Sequence, residues 1–313
     1  MALTSLFNPD KANQKGVADA TLADRHEGLF YYYHDPKIIH AVNVALATNR
    51  PLLVRGPSGC GKSCLAFNVA RQLNARYYPF AVNSRSSAQD LLWRFDAVRR
   101  LGDAYSSAHA ATETPPAQPH WQTAFAYVEP SVLWWAFDRE SARLRGATQL
   151  EPQRHAAEPM AAYNGNPQLG PKAVVLIDQI DKADPDLAND LLEPFGAYQF
   201  TVTETNSPVG LKPPQDPQDR QKTWQWAPLL IITTNGERQL PEAFMRRCLV
   251  LDMELPQKEE MAEIACTSLQ KQDKPYFLNL IKLLEQASYW PAASPNSSIS
   301  PRPASTSTSP MIT

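Results

Sequence analysis

Leu52-Leu53-Val54-Arg55-Gly56-Pro57-Ser58-Gly59-Cys60-Gly61-Lys62-Ser63 runs from a short apolar stretch into a Gly-x-x-x-x-Gly-Lys-Ser loop. Glycines in such a loop let backbone N–H groups turn inward toward phosphate oxygens, and the helix that follows presents its positive N-terminal end to the same anion. Lys62 is then the side chain that reaches the β and γ phosphates, and the Ser63 hydroxyl is a Mg²⁺ ligand. The loop as a whole, Gly56, Pro57, Ser58, Gly59, Cys60, Gly61, Lys62 and Ser63, is the candidate cradle for ATP. Leu65, Val69 and Leu73 recur every four residues, which predicts the helix that the loop requires.

Outward from this point the chain repeats the same grammar. Ala173 to Ile177, Leu229 to Ile232 and Cys248 to Leu251 are apolar without alternation, and Tyr77 to Val82 is a fifth strand candidate. Continuous apolarity is what strands of a parallel sheet covered on both faces need. Strand and helix alternate over some two hundred residues, which predicts an α/β fold with a doubly wound, five-stranded parallel sheet. Before the first strand, Asp35 and Pro36 form an N-cap and first helical position, with Ile38, Val42, Ala45 and Leu46 on one face.

Two of these strands end in groups suited to phosphate chemistry. Val174-Val175-Leu176-Ile177 leads into Asp178, an acid placed to hold Mg²⁺ at the tip of a strand, followed by Gln179, Ile180 and Asp181. Ile231-Ile232-Thr233-Thr234 leads into Asn235, whose amide is suited to orient an attacking water. Arg246 and Arg247 precede the last strand. A guanidinium offered there to a neighbouring subunit's γ-phosphate is the arginine-finger device.

Bulk composition narrows the function by exclusion. The 30 Lys and Arg against 32 Asp and Glu leave a net charge of −2, which sets up no global field for nucleic acid or an anionic membrane. A translocase on nucleic acid would need a basic stripe with interleaved aromatics; Trp224 and Trp226 have only Lys212, Arg220 and Lys222 beside them. The four cysteines show no CxxC pair and the six histidines no metal-ligand spacing. The start has no positively charged segment followed by an apolar core, and no run approaches the ~18 apolar residues of a membrane span. The expectation is a cytoplasmic protein.

Boundaries follow from composition. Residues 1–35 read as an N-terminal extension, 36–255 as the core, 256–290 as two amphipathic helices and 291–313 as a Ser/Pro/Thr tail too poor in apolar groups to order itself. Within the core, 103–121 and 146–171 read as Pro- and Ala-rich surface insertions. The stretch 198–226 reads as a long hairpin from Phe200 and Val202 to Trp224 and Trp226.

Taken in order, GPSGCGKS, VVLIDQID, IITTN and LPEAFMRRC resemble the AAA+ ATPases, and their spacing is most similar to the MoxR branch over residues 36 to 255. The resemblance implies Asn235 as sensor 1 and, since the finger immediately precedes Cys248, Arg247 rather than Arg246. It also implies Mg²⁺-ATP as cofactor, a hexameric ring, and a protein partner, often one with a von Willebrand factor A domain. Two departures bear on function. Gln179 stands where the superfamily has a Glu that polarises the attacking water, and the C-terminal lid is shortened to the helices between 256 and 287. The expected activity is a slow or partner-dependent ATP hydrolase that remodels or regulates a protein; the alternative is a nucleotide-gated assembly module with little or no turnover.

Overall fold

The computed structural model describes residue 7 and residues 35–109, 124–150, 154–211, 227–268 and 273–286. In chain order the main elements are α1 Pro36–Thr48, β1 Leu52–Arg55, α2 Lys62–Gln72, β2 Arg76–Ala81, α3 Ala88–Leu92, β3 Trp93–Phe95 and α4 Ala97–His109. They continue with β4 Val128–Pro130, α5 Val132–Phe137, α6 Arg139–Arg143, α7 Ala161–Asn164, β5 Ala173–Asp178, α8 Pro185–Asp190 and α9 Leu192–Ala197. The hairpin β6 Gln199–Val202 and β7 Ser207–Gly210 follows, then β8 Leu229–Thr234, α10 Glu242–Arg247, β9 Leu249–Asp252, α11 Lys258–Ser268 and α12 Lys274–Gln286. No described helix is long and apolar enough to cross a membrane.

The fold is the expected α/β sheet: five strands in the order β2-β5-β8-β1-β9, all pairs parallel. Successive residues of a strand point to opposite faces, so a strand covered on both sides must be apolar at every position. Leu52, Val54, Val174, Leu176, Leu229 and Ile231 pack on one side with Leu65 and Val69 of α2 and Val42 and Leu46 of α1. Leu53, Val175, Ile177, Leu230 and Ile232 pack on the other with Leu133, Trp134 and Leu187. Asp35 caps α1 as its sequence predicts, accepting from Lys37 N at 2.8 Å.

The hairpin departs from expectation. It closes after a short turn at residues 203–206, and its return strand is Ser207–Gly210, so Pro208 lies within the second strand rather than at a distant tip. A proline is tolerated in a two-stranded ribbon where its missing N–H faces outward. Phe200 stacks on Trp93 at 5.5 Å and meets Trp134 edge-on at 5.9 Å, so the hairpin is part of the core. Trp224 and Trp226 lie outside the described residues.

The stretch 146–171 is also more than a surface insertion, because its polar side chains finish the sheet. Strand β2 is an edge, and the buried Asn164 amide accepts from Tyr77 N and donates to Tyr77 O, each at 2.9 Å, while donating to Pro159 O at 2.7 Å. Tyr163 and Glu158 add bonds to Ala75 O and the Tyr78 hydroxyl. A side-chain amide thus stands where another strand would pair. Asn164→Ala removes three bonds from buried groups and should cost about 2 to 4 kcal/mol in urea unfolding. A loss below about 1 kcal/mol would show that this amide does not hold the edge.

Candidate nucleotide site

The loop Gly56–Ser63 leaves the end of β1 and enters α2, joining the most buried part of the sheet to a helix N-terminus. Gly61 is in the left-handed region at φ 93°, and Gly59 at φ 86°, conformations that side chains with a Cβ adopt at a cost. At Gly56 the limit is space, since a Cβ there would overlap the Met253 carbonyl oxygen. Lys62 is buried, its ammonium donating to Gly56 O at 2.7 Å and Pro57 O at 2.8 Å. The loop therefore carries a buried cation folded against its own carbonyls. Burial pushes the Cys60 thiol up, only partly offset by Lys62, so it stays protonated and packs as a small filler rather than a reactive thiolate.

The residues read as Mg²⁺ ligands meet directly. Ser63 Oγ donates to Asp178 Oδ1 at 2.6 Å across 115 positions of sequence. Asp178 ends β5, and parallel pairing sets Ile177 beside Ile232, so the next residue of β8 comes level with Asp178. That residue, Thr233, donates its hydroxyl to Asp178 Oδ1 at 2.6 Å and accepts from Gln179 N at 2.8 Å. A hydroxyl and a carboxylate brought together at the head of a phosphate loop form a hard-oxygen donor pair of the kind Mg²⁺ takes. When bound, the ion would neutralise phosphate charge.

Gln179 breaks the strand: its backbone is left-handed at φ 59°, and a single 3₁₀ turn, Ile180–Lys182, follows. That turn carries Asp181 underneath β8, where the carboxylate is only 2% exposed. Its Oδ2 accepts from Asn235 N at 3.1 Å and Glu237 N at 2.9 Å. Asn235 itself is half-buried; its amide nitrogen lies 3.4 Å from Glu237 Oε1, and its Oδ1 is buried without a partner among the described residues. Asp181 therefore holds main-chain amides of the Asn235 turn.

Arg247 is exposed at the end of α10, its guanidinium donating to Leu192 O at 3.1 Å. Arg246 is exposed as well and pairs with Glu242 one helical turn away. The hydrogen bonds of both arginines go to α9 and α10, with Arg247 on Leu192 O and Arg246 on Glu242, and Arg247 lines an open surface groove with Asp190 and Glu193. Sequence reasoning passed over Arg50. Its guanidinium donates to the carbonyls of Arg246, Arg247 and Cys248 at 2.7 to 3.2 Å, capping the C-terminal end of α10. It also passed over Thr233, although a threonine wholly buried at the end of an apolar strand signals a polar partner.

The family model for the AAA domain (dynein-related subfamily) matches residues 51–248, well over half of the chain. A shorter likeness links the chain to the phosphate import ATP-binding protein PstB 3 of Synechocystis sp. (strain ATCC 27184 / PCC 6803 / Kazusa), 43% identical over 62 residues. That stretch is 19% of this chain and spans only 23% of the relative's length.

Proposed function

Since this chain belongs to the AAA domain family, dynein-related subfamily, whose members are ATP-binding ATPases, we propose that it is a MoxR-like machine. It binds Mg²⁺-ATP, assembles in response, and remodels or regulates a protein partner. The observation that carries this reading is the 2.6 Å contact of Ser63 with Asp178 at the head of the phosphate loop, with the amide of Gln179 in the position next to that acid.

In this reading Lys62 would meet the β and γ phosphates, and Ser63 and Asp178 would hold Mg²⁺, which when bound would neutralise phosphate charge. Asn235 and Gln179 orient the attacking water, but an amide is not a useful base. Turnover is therefore slow and the ATP-bound assembly long-lived. The same amide favours a second reading, a nucleotide-gated assembly module that acts by presenting a surface. Helices α11 and α12 serve as a shortened lid. A hexameric ring, a von Willebrand factor A partner and a cytoplasmic location follow from the MoxR resemblance and belong to this proposal.

Mass photometry with ATP or ADP, alongside steady-state turnover, tests it. ATP should drive assembly beyond the monomer, and a chain that stays monomeric with both nucleotides contradicts the assembly step. Arg247→Ala should lower turnover at least tenfold while leaving ATP affinity within about threefold, because a finger acts on the neighbour's phosphate. Mixing Arg247→Ala with Lys62→Ala subunits joins some intact loops to intact fingers. Partial recovery of turnover is expected, and none in stable mixed assemblies would count against action across the interface.

A further inference from the structure

Asp181 is a buried carboxylate that the phosphate loop, the metal ligands and the finger do not use. A carboxyl group at 2% exposure needs hydrogen bonds to compensate its lost hydration. Here the compensation comes from two main-chain N–H groups of one turn, those of Asn235 and Glu237, both on Oδ2. That turn directly follows β8, and Gly236 between them is left-handed at φ 79°, its N–H held by Thr234 Oγ1 at 3.0 Å. Three consecutive amides of the turn are thus fixed by side chains, two of them by the carboxylate that the left-handed Gln179 and the 3₁₀ turn deliver from β5.

We propose that Asp181 is the positioning residue for Asn235: its carboxylate locks the Asn235–Glu237 turn and so aims the Asn235 amide at the reacting phosphate and water. This rests on the ATPase reading for what Asn235 does, though not for what holds it. The geometry also separates two roles that sequence spacing leaves open. A general base must present an oxygen to water in the site, whereas this carboxylate is buried beneath the strand and shares one oxygen between two backbone donors. Its second oxygen, Oδ1, is buried with no partner among the described residues. The positioning role uses only the acceptor Oδ2, so an isosteric amide that keeps one acceptor oxygen should serve nearly as well.

The test has two arms on the full-length protein. In the first, amide hydrogen exchange without nucleotide compares the native protein, Asp181→Ala and Asp181→Asn. Asp181→Ala should speed exchange at Asn235 and Glu237 about tenfold or more while the sheet amides of β5 and β8 keep their protection, and Asp181→Asn should restore most of it. In the second, single-turnover hydrolysis and ATP affinity are measured for both variants, for Asn235→Ala and for Asp181→Ala with Asn235→Ala. Asp181→Ala should slow hydrolysis about tenfold with affinity within about threefold, and the double variant should be no slower than Asn235→Ala alone, because coupled residues are non-additive. Asp181→Asn should stay within about threefold of native. Unchanged exchange at the turn in Asp181→Ala overturns the positioning role. Loss of turnover in a well-folded Asp181→Asn would instead make the carboxylate a base. If Asp181→Ala does not fold, the Asp181→Asn measurements alone decide. Exchange that behaves as expected in a protein with no ATPase activity would retain the clamp and sink the ATPase reading.

Discussion

Lys62→Ala should leave a folded protein that no longer binds ATP tightly. The ammonium is the loop's only side-chain cation, and Gly56 O and Pro57 O gather it over the loop. On binding it trades two neutral acceptors for charged phosphate oxygens. Hydrogen bonds to charged groups contribute roughly 1.5 to 3 kcal/mol each, so losing two predicts an affinity loss of roughly 10² to 10⁴-fold. Lys62 is also buried, and its removal takes packing with it. A melting curve must therefore accompany the titration, with Lys62→Met as a variant that keeps the stem and removes the charge. Native-like affinity for a fluorescent ATP analogue in either variant would end the phosphate-loop reading.

What the sequence revealed and what it hid divide along sequence distance. The five sheet strands were legible as short apolar runs: β1, β5 and β8 because nearly every residue is buried, and the edge strands β2 and β9 because apolar residues still dominate despite exposed positions such as Ala81 and Val250; Cys248 to Leu251 was expected and Leu249–Asp252 is found. The order β2-β5-β8-β1-β9 was not legible, since it depends on which distant segments pair. Among the described residues the hairpin pairs Gln199–Val202 with Ser207–Gly210, and the place of Pro208 in β7 depends on a pairing that only the fold creates. Asn164 was hidden for the same reason: in the string it is one polar residue among Ala, Pro and Gly, and only the edge of β2 gives it work.

The candidate site shows the same division. Gly56 to Ser63 is contiguous and announces itself, whereas Arg50 reaches α10 across nearly two hundred positions and nothing local marks it. Asp178 and Asp181 stand three residues apart, and nothing local in the string says which way the second acid turns. The left-handed backbone of Gln179 decides that it turns under β8. Left-handed backbone at a residue other than glycine costs about 1 kcal/mol or more and persists where its surroundings impose it. Here the imposed turn separates the acid that meets Ser63 from the acid that holds the Asn235 turn.

Gln179→Glu should raise hydrolysis. General-base assistance is worth ~10² to 10⁴ in rate, equivalent to about 3 to 5 kcal/mol of barrier. The substitution is isosteric, keeps the backbone bond from Gln179 N to Thr233 and leaves Lys62, Ser63 and Asp178 unaltered. Nucleotide affinity should therefore change little. The gain should reach at least tenfold, since the new carboxylate supplies the group that the amide lacks.

Single-turnover hydrolysis, with enzyme in excess over ATP, isolates that step from product release and compares the native chain, Gln179→Glu and Asp181→Asn under one set of conditions. The expected result is a slow native rate, a Gln179→Glu rate at least tenfold higher and an Asp181→Asn rate close to native. Brisk native hydrolysis, unchanged by Gln179→Glu and destroyed by Asp181→Asn, would contradict it and move the catalytic carboxylate to Asp181.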